Sequence, residues 1–219
     1  MMSIKTSLSL NDLVDYTLKQ LLTFFPDKNK IDKKKFSSCV DIALQRVEQC
    51  FSKVNNRYFR DENTTILNHL NGDQYSMFLY FLSNSLYREN ADISTCSKAF
   101  LMNKYLHGID AFYEVELPDI FLFVHPLGTV LGRGNFSNYF VVYQRCNIGS
   151  NKEVYPTLGE NITMHPGSAI LGNCNIGDNC RIAAHSLVLD RNIEENCTYI
   201  GNPKNFSIKA NKTKNSIWL

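Results

Sequence analysis

Residues 121–132, FLFVHPLGTVLG, place a single histidine between apolar residues and a proline, shortly before two glycines. The imidazole of His125 has an intrinsic pKa near neutrality, so it can act as a general base and remove a proton from an attacking nucleophile. The alternative is a core histidine whose ring nitrogens are satisfied by hydrogen bonds. The elements that surround His125 must decide between these two interpretations.

Composition and charge exclude several other classes of site. The seven cysteines include no CxxC pair and no Cys/His spacing of a zinc site. The 23 Lys and Arg residues nearly balance 21 Asp and Glu residues, which gives no basic footprint for a nucleic acid. No apolar run reaches the roughly 20 residues that a membrane span needs, and the N-terminus lacks the apolar stretch of a signal peptide. We expect free thiols, no metal, no nucleic-acid partner, no stable membrane insertion and a cytoplasmic location.

The first 108 residues have the pattern of helices. Apolar residues recur at helical spacing in four segments, residues 8–25, 36–54, 72–90 and 92–109. The first segment has a polar cap at Ser9 or Asn11 and ends at Pro26, and the fourth ends at Gly108. We therefore predict a helical domain over residues 1–108.

The second half carries an internal repeat of six residues. Nine of the 11 glycines lie at or after Gly128. Apolar anchors then recur at intervals of six, in one block at Phe136, Val142 and Ile148, and in a second block at Leu158, Met164, Ile170, Ile176, Ile182 and Val188. Glu194 interrupts the series, and Ile200 and Phe206 resume it. Such a period predicts a solenoid, because stacked coils bury an apolar ladder that no single coil could bury alone.

Small residues fill the position four places after many anchors. Three of them are cysteines, Cys146, Cys174 and Cys180, and cysteine packs there as a small apolar side chain. We interpret these cysteines as structural. His185 falls at an outward position of the repeat and is interpreted as solvated.

The repeat resembles the left-handed parallel β-helix of the hexapeptide acyltransferases. The order of a helical half, Asp110, HPLGTVLG, VVYQRCNIGS and then residues 155–188 is similar to the serine acetyltransferases, over roughly residues 65–206. The resemblance implies an α+β chain: the helical domain 1–108, a left-handed β-helix acetyltransferase domain over 109–208, and a C-terminal tail, 209–219. It also implies acetyl-CoA as acyl donor, a hydroxyl acceptor, and a homotrimer that is often doubled to a hexamer through the helical domains.

The resemblance also assigns roles to individual residues. It implies that His125 is the catalytic base and that Asp110 orients the imidazole and stabilises the imidazolium. Two residues are expected to bind substrate, Gln144 and Tyr155, the latter either at the acceptor hydroxyl or packed on a neighbouring subunit. Four are expected to bind the cofactor: Gly149, Pro166, Arg181 near the adenosine phosphate, and Ala184. His165, beside Pro166, is interpreted as a turn residue near the cofactor groove.

Three residues depart from the family's pattern. Val124 replaces an acidic residue that touches the amino group of serine, and Val154 and Tyr155 replace the arginine and histidine of an Arg-His-Pro stretch. The last residues, NSIWL, lack the terminal isoleucine with which serine acetyltransferases dock onto cysteine synthase, so we do not expect that partner.

Several functions follow from this pattern. The family residues that would bind the charged groups of a zwitterionic amino acid are replaced. Our first expectation is therefore an O-acetyltransferase that modifies a sugar, such as a capsule or O-antigen polysaccharide. The alternatives are a serine O-acetyltransferase of cysteine biosynthesis and a non-catalytic trimeric scaffold. A metal-dependent enzyme of the carbonic-anhydrase kind is disfavoured, because His125, His165 and His185 do not share a phase of an eighteen-residue coil.

Overall fold

The computed structural model describes residues 3–62, 64–212 and 217–219. The chain divides into two compact units, Met1–His107 with Phe112–Glu114, and Gly108–Ala111 with Val115–Leu219. The first unit is mainly helical, and the second consists of short strands and turns.

Four helices build the first unit at the positions that the apolar spacing predicts. They are α1 (Leu10–Phe24), α2 (Lys33–Phe51), α3 (Gly72–Arg88) and α4 (Ile93–His107). The hydroxyl of Ser9 accepts a hydrogen bond from the backbone N–H of Asp12 at 3.2 Å and caps α1. Of the two caps proposed from the sequence, Ser9 is therefore the correct one.

Helix α3 forms the centre of the helical unit. Every residue from Gln74 to Leu86 is buried, and α3 packs against both α2 and α4. Its polar residues remain satisfied, since the Asn84 side-chain amide donates to the Tyr113 carbonyl at 2.9 Å. A helix that is buried on all sides is the expected core of a small helical layer.

A small sheet in the helical unit was not predicted from the sequence. It contains β1 (Ser3–Thr6), β2 (Arg60–Asp61) and β3 (Thr64–Leu67), with β3 in the middle. Strand β1 pairs with β3 in parallel across a long separation in sequence, so local periodicity carries no sign of it.

The second unit is the predicted left-handed parallel β-helix, with about five turns. Its three sheets run in the orders β13-β10-β7, β17-β16-β14-β11-β8-β5 and β15-β12-β9-β6-β4. The strands are β4 (Asp110–Ala111), β5 (Phe121–Phe123), β6 (Val130–Leu131), β7 (Asn135–Phe136), β8 (Phe140–Val142), β9 (Asn147–Gly149), β10 (Thr157–Leu158), β11 (Thr163–Met164), β12 (Ala169–Leu171), β13 (Asn175–Ile176), β14 (Arg181–Ile182), β15 (Leu187–Leu189), β16 (Cys197–Asn202) and β17 (Asn205–Ala210).

The anchors of the hexapeptide series form the core of this solenoid. Val142, Met164 and Ile182 pair in register on successive coils and are fully buried. The three cysteines at the small positions are buried as well. Phe136 differs, since it is only half-buried beside Phe140.

The anchor positions predicted for the last coil are wrong by one residue. Thr163 pairs with Arg181, eighteen residues on, but Arg181 pairs with Thr198, only seventeen residues on. The shorter coil moves the inward position back by one, so Ile193 and Tyr199 are buried where Glu194 and Ile200 stand in the series. Phe206 lies partly exposed in β17, which pairs antiparallel to β16 and ends the regular repeat.

Strand β17 continues to Ala210, so the expected boundary at residue 208 falls inside a strand. Among the described residues, no helix combines the length and apolarity that a membrane span requires.

Candidate functional site

Four strands of the six-stranded sheet end at the same corner of the solenoid. They are β5, β8, β11 and β14. Phe123, Val142, Met164 and Ile182 are the register partners at which these strands end. The register continues past them, because the backbone N–H of Val124 donates to Val142, that of Tyr143 to Met164 and that of His165 to Ile182, at 2.9, 3.1 and 3.0 Å. Residues at the next two positions are therefore stacked in two parallel rows.

We call these the flank row and the corner row. The flank row contains Val124, Tyr143, His165 and Ala183. The corner row contains Leu127, Gln144, Pro166 and Ala184, because the Arg145 N–H donates to the Leu127 carbonyl as that of Gly167 donates to Gln144 and that of His185 to Pro166. His125 lies two residues before Leu127, in a turn that is two residues longer than the turn after Val142. Neighbouring members of a row are separated by the spacing of paired strands, about 4.8 Å.

The corner row brings three residues of the sequence hypothesis together on one edge, and His125 lies in the turn that leads into the row. His125 is the expected base, Gln144 an expected substrate residue, and Pro166 and Ala184 expected cofactor residues. The Gln144 carbonyl accepts from the Gly167 N–H at 2.9 Å, which fixes the stacking of the middle rungs. The side-chain oxygen of Gln144 is buried and has no hydrogen-bond partner among the described residues.

His125 is exposed in the turn that leads into the corner row. A core histidine would be shielded from solvent, so the structure favours the interpretation in which the imidazole can meet a substrate. Its φ is +49°. The positive φ that recurs from coil to coil lies at the position after the corner row, in Gly128, Arg145, Gly167 and His185. The left-handed backbone at His125 is therefore particular to this longer turn.

Asp110 reaches the same corner from the coil before. Its strand β4 pairs with β6, and the Asp110 N–H donates to the Thr129 carbonyl at 2.9 Å. The turn that contains His125 leads directly into this pairing, since the Gly128 N–H donates to the Gly108 carbonyl at 2.8 Å. Asp110 thus lies one coil from the segment that follows His125, although it is fifteen positions before His125 in the sequence.

An aromatic pair in the flank row was missed from the sequence. The rings of Tyr143 and His165 are stacked, with centroids 5.6 Å apart and an angle of 23° between planes. Burial lowers the pKa of His165, and the positive charge of Arg181 lowers it further. The imidazole is therefore neutral at physiological pH. Outward-facing positions next to a corner are the signal that could have found the pair.

Arg181 lies on the same face as the two rows. It is two positions before Ala183 in the chain, is half-buried, and is the register partner of Thr163 and Thr198. Its effect on His165 places its charge near the flank row.

Two expected site residues lie elsewhere in the chain. Gly149 ends β9 in another sheet, where it is the partner of Leu171. Tyr155 is 41% exposed and follows a tight loop closed by the bridge between Asn151 and Val154. Within one chain the structure therefore does not bring Gly149 or Tyr155 to the corner row.

The buried thiols at the small positions of the repeat are poor nucleophiles. Burial raises the pKa of Cys180 to about 11, and burial also raises the pKa of Cys146 and Cys174, so these thiols stay protonated and unreactive. In the described part of the chain, no three His, Cys, Asp or Glu side chains cluster as a metal site would require.

Comparisons with known proteins support the same family. No protein-family model matches the chain. A serine acetyltransferase of Synechococcus elongatus is 31% identical over 107 residues, which cover 47% of this chain and 43% of that protein. One of Staphylococcus epidermidis is 25% identical over 134 residues, 59% of this chain and 62% of that protein. The chain thus spans less than two thirds of the length of these relatives.

Solved structures show the likeness of fold. Serine acetyltransferase from Brucella abortus superposes with a TM-score of 0.62 at 16% identity, over 93% of this chain and 78% of that one. A serine acetyltransferase in complex with CoA gives 0.59 at 18% identity, over 89% and 75%. The chain therefore matches the serine acetyltransferase-like, hexapeptide-repeat acyltransferases, as the sequence pattern predicts.

Proposed function

We propose that this chain is an acetyl-CoA-dependent O-acetyltransferase with His125 as general base. The observation that carries the proposal is the corner of the solenoid, where exposed His125 directly follows flank-row Val124, and where Pro166 and Ala184, two expected cofactor residues, lie on later coils. The named relatives, all serine acetyltransferases, support the same class of reaction.

His125 would remove the proton of the acceptor hydroxyl as its oxygen attacks the thioester carbonyl carbon. Asp110 would hold the imidazole in one tautomer and stabilise the imidazolium that forms. The tetrahedral intermediate then collapses, the carbon–sulfur bond breaks, and the imidazolium returns its proton to the thiolate. The products are the acetyl ester of the acceptor and free CoA.

Serine is the acceptor that the comparisons favour. Relatives and structural neighbours are serine acetyltransferases, and the sugar or polysaccharide acceptor expected from the sequence finds no support among them. We therefore propose serine in place of a sugar. Val124, half-buried beside His125, still favours an acceptor without an ammonium group, so a sugar hydroxyl remains the second candidate.

We propose that the active unit is a homo-oligomer. Tyr155 and Gly149 lie away from the corner row of their own chain, and a trimer would bring these residues of one subunit towards the corner of the next. Other expectations remain predictions, namely the domain limits, the cytoplasmic location and the absence of docking to cysteine synthase.

The acceptor can be tested by measuring thiol release from acetyl-CoA with serine and with a panel of sugars and oligosaccharides. We expect turnover with serine, and transfer to an oligosaccharide with serine inactive would support the second candidate. Calorimetric titration with CoA tests the class itself. Absence of CoA binding would overturn the proposed enzymatic function and favour a non-catalytic scaffold.

A further inference from the structure

The proposed function leaves the path of the donor across the solenoid unexplained. If His125 acts at the thioester and Arg181 meets the phosphates of CoA, the two ends of the donor lie on coils that are three rungs apart, about 14 Å. The arm between thioester and phosphates must then cross the two coils in between. The flank-row residues of those two coils are Tyr143 and His165.

We propose that the stacked rings of Tyr143 and His165 bind the pantetheine arm of acetyl-CoA between Arg181 and His125. This inference rests on the proposed function and adds two donor-binding residues to it. From the sequence, His165 was interpreted only as a turn residue near the cofactor groove, and Tyr143 was given no role.

The position of the pair supports a role with the donor. His165 directly precedes Pro166, and Tyr143 directly precedes Gln144, so each ring flanks the corner row on its own coil. Both side chains are half-buried, which leaves surface for a ligand while holding the rings in place. Their stacking at 5.6 Å joins the two coils into one surface that runs along the solenoid axis.

The chemistry of the pair also suits the arm. Pantetheine carries two amide groups and a branched apolar segment, and no charge. A neutral imidazole offers one hydrogen-bond donor and one acceptor, and a phenol can do both. Because burial and Arg181 lower the pKa of His165, the ring meets the arm without a charge to desolvate. Ring faces provide the apolar contact that the branched segment needs.

The first experiment is calorimetric titration of CoA into the full chain and its variants. We expect His165→Ala and Tyr143→Ala each to raise the Kd for CoA by about 3- to 10-fold, the loss of one net hydrogen bond or ring contact. The matched control is His185→Ala, which removes an exposed histidine from the coil of Arg181, outside the two coils that the arm must cross. Its Kd should equal that of the unaltered chain.

The double variant tests whether the rings act as a unit. Since each ring positions the other, the combined loss should be smaller than the product of the two separate losses. Multiplicative losses would contradict a shared binding surface. Equal melting temperatures of the variants and the control establish that folding is retained. If Tyr143→Ala unfolds, Tyr143→Phe, which keeps the ring stack, replaces it in the binding measurement.

A truncated donor distinguishes the arm from the nucleotide. Acetyl-pantetheine keeps the arm and lacks the nucleotide, so His165→Ala should raise the KM for it by the same factor as for acetyl-CoA. Arg181→Ala should raise the KM for acetyl-CoA alone. A rise in the KM for the acceptor with that for the donor unchanged would overturn the inference and assign the pair to the acceptor.

Failure of the two proposals can be separated. If the unaltered chain does not bind CoA, both are overturned. If it binds CoA and His165→Ala binds it equally well, the proposed function stands and this inference is wrong.

Discussion

The two units of this chain use their side chains in opposite ways. In the helical unit, α3 is buried on every side, so the role of a residue depends on which neighbours pack around it. In the solenoid, an inward-pointing anchor occurs every six residues and the same environment returns on each coil. Outward positions such as His125 and His165 are thus released from packing, and they can carry chemistry without cost to the core.

The largest expected effect is in the helical core. Phe78 lies in α3 and is fully buried, so Phe78→Ala should lower the free energy of unfolding by about 3–5 kcal/mol. Urea denaturation measures this loss. The control is Tyr105→Ala on α4, where the side chain is 61% exposed and the change should stay within about 0.5 kcal/mol. Equal losses in the two variants would contradict the central position of α3.

A smaller effect is expected where the solenoid turns. Gly201 has a φ of +112°, and an added Cβ would meet the carbonyl oxygen of Asn205 in the β16–β17 hairpin. Gly201→Ala should therefore lower the free energy of unfolding by about 2–3 kcal/mol.

Gly149 gives the matched control for this change, because a Cβ there would make an ordinary 3.5 Å contact with Leu171. Thermal unfolding of Gly201→Ala and Gly149→Ala compares them directly. A Gly149→Ala variant as unstable as Gly201→Ala would show that the coils tolerate no added bulk anywhere.

The smallest expected effect is a pH dependence of stability that arises from an ion pair in the helical unit. In the helical unit, the Lys98 ammonium lies 2.6 Å from Asp27 and holds the pKa of that carboxyl below its ordinary value. Because its pKa is lower in the folded state, the ionised Asp27 carboxylate stabilises the fold at pH above about 4. This contribution is lost as the pH falls through the folded pKa and the carboxylate is protonated. The melting temperature should therefore fall on acidification, and more weakly in Asp27→Asn. An identical pH dependence in Asp27→Asn would assign the acid sensitivity to other groups.

Periodicity predicted most of the fold. Helical spacing and the hexapeptide interval located α1 to α4 and the anchors up to Val188. The displacement to Tyr199 was missed because Ile200 is equally apolar, although Glu194 at an anchor position, directly after apolar Ile193, is a local sign of the shorter coil. The small β1–β3 pairing depends on contacts distant in sequence, which periodicity does not record.

The candidate site could be predicted from the sequence where the register of the coils alone determines which residues are neighbours. Gln144, Pro166 and Ala184 share a row because strands of one sheet end together, and His125 lies at the same corner in a turn two residues longer. The stacking of Tyr143 on His165 was hidden, since the loop after Ser150 makes this coil longer than eighteen residues and breaks simple counting. Tyr155 and Gly149 were taken from the family resemblance, and one chain alone does not unite them with His125.

The most direct test of the central claim is kcat/KM for acetyl transfer by His125→Ala, with His185→Ala as the matched histidine control. If outward corner positions carry the chemistry, His125→Ala should lose at least about 100-fold in kcat/KM, as expected for a lost general base, and the control should retain the original rate. A His125→Ala variant that keeps the activity of the unaltered chain would contradict the account.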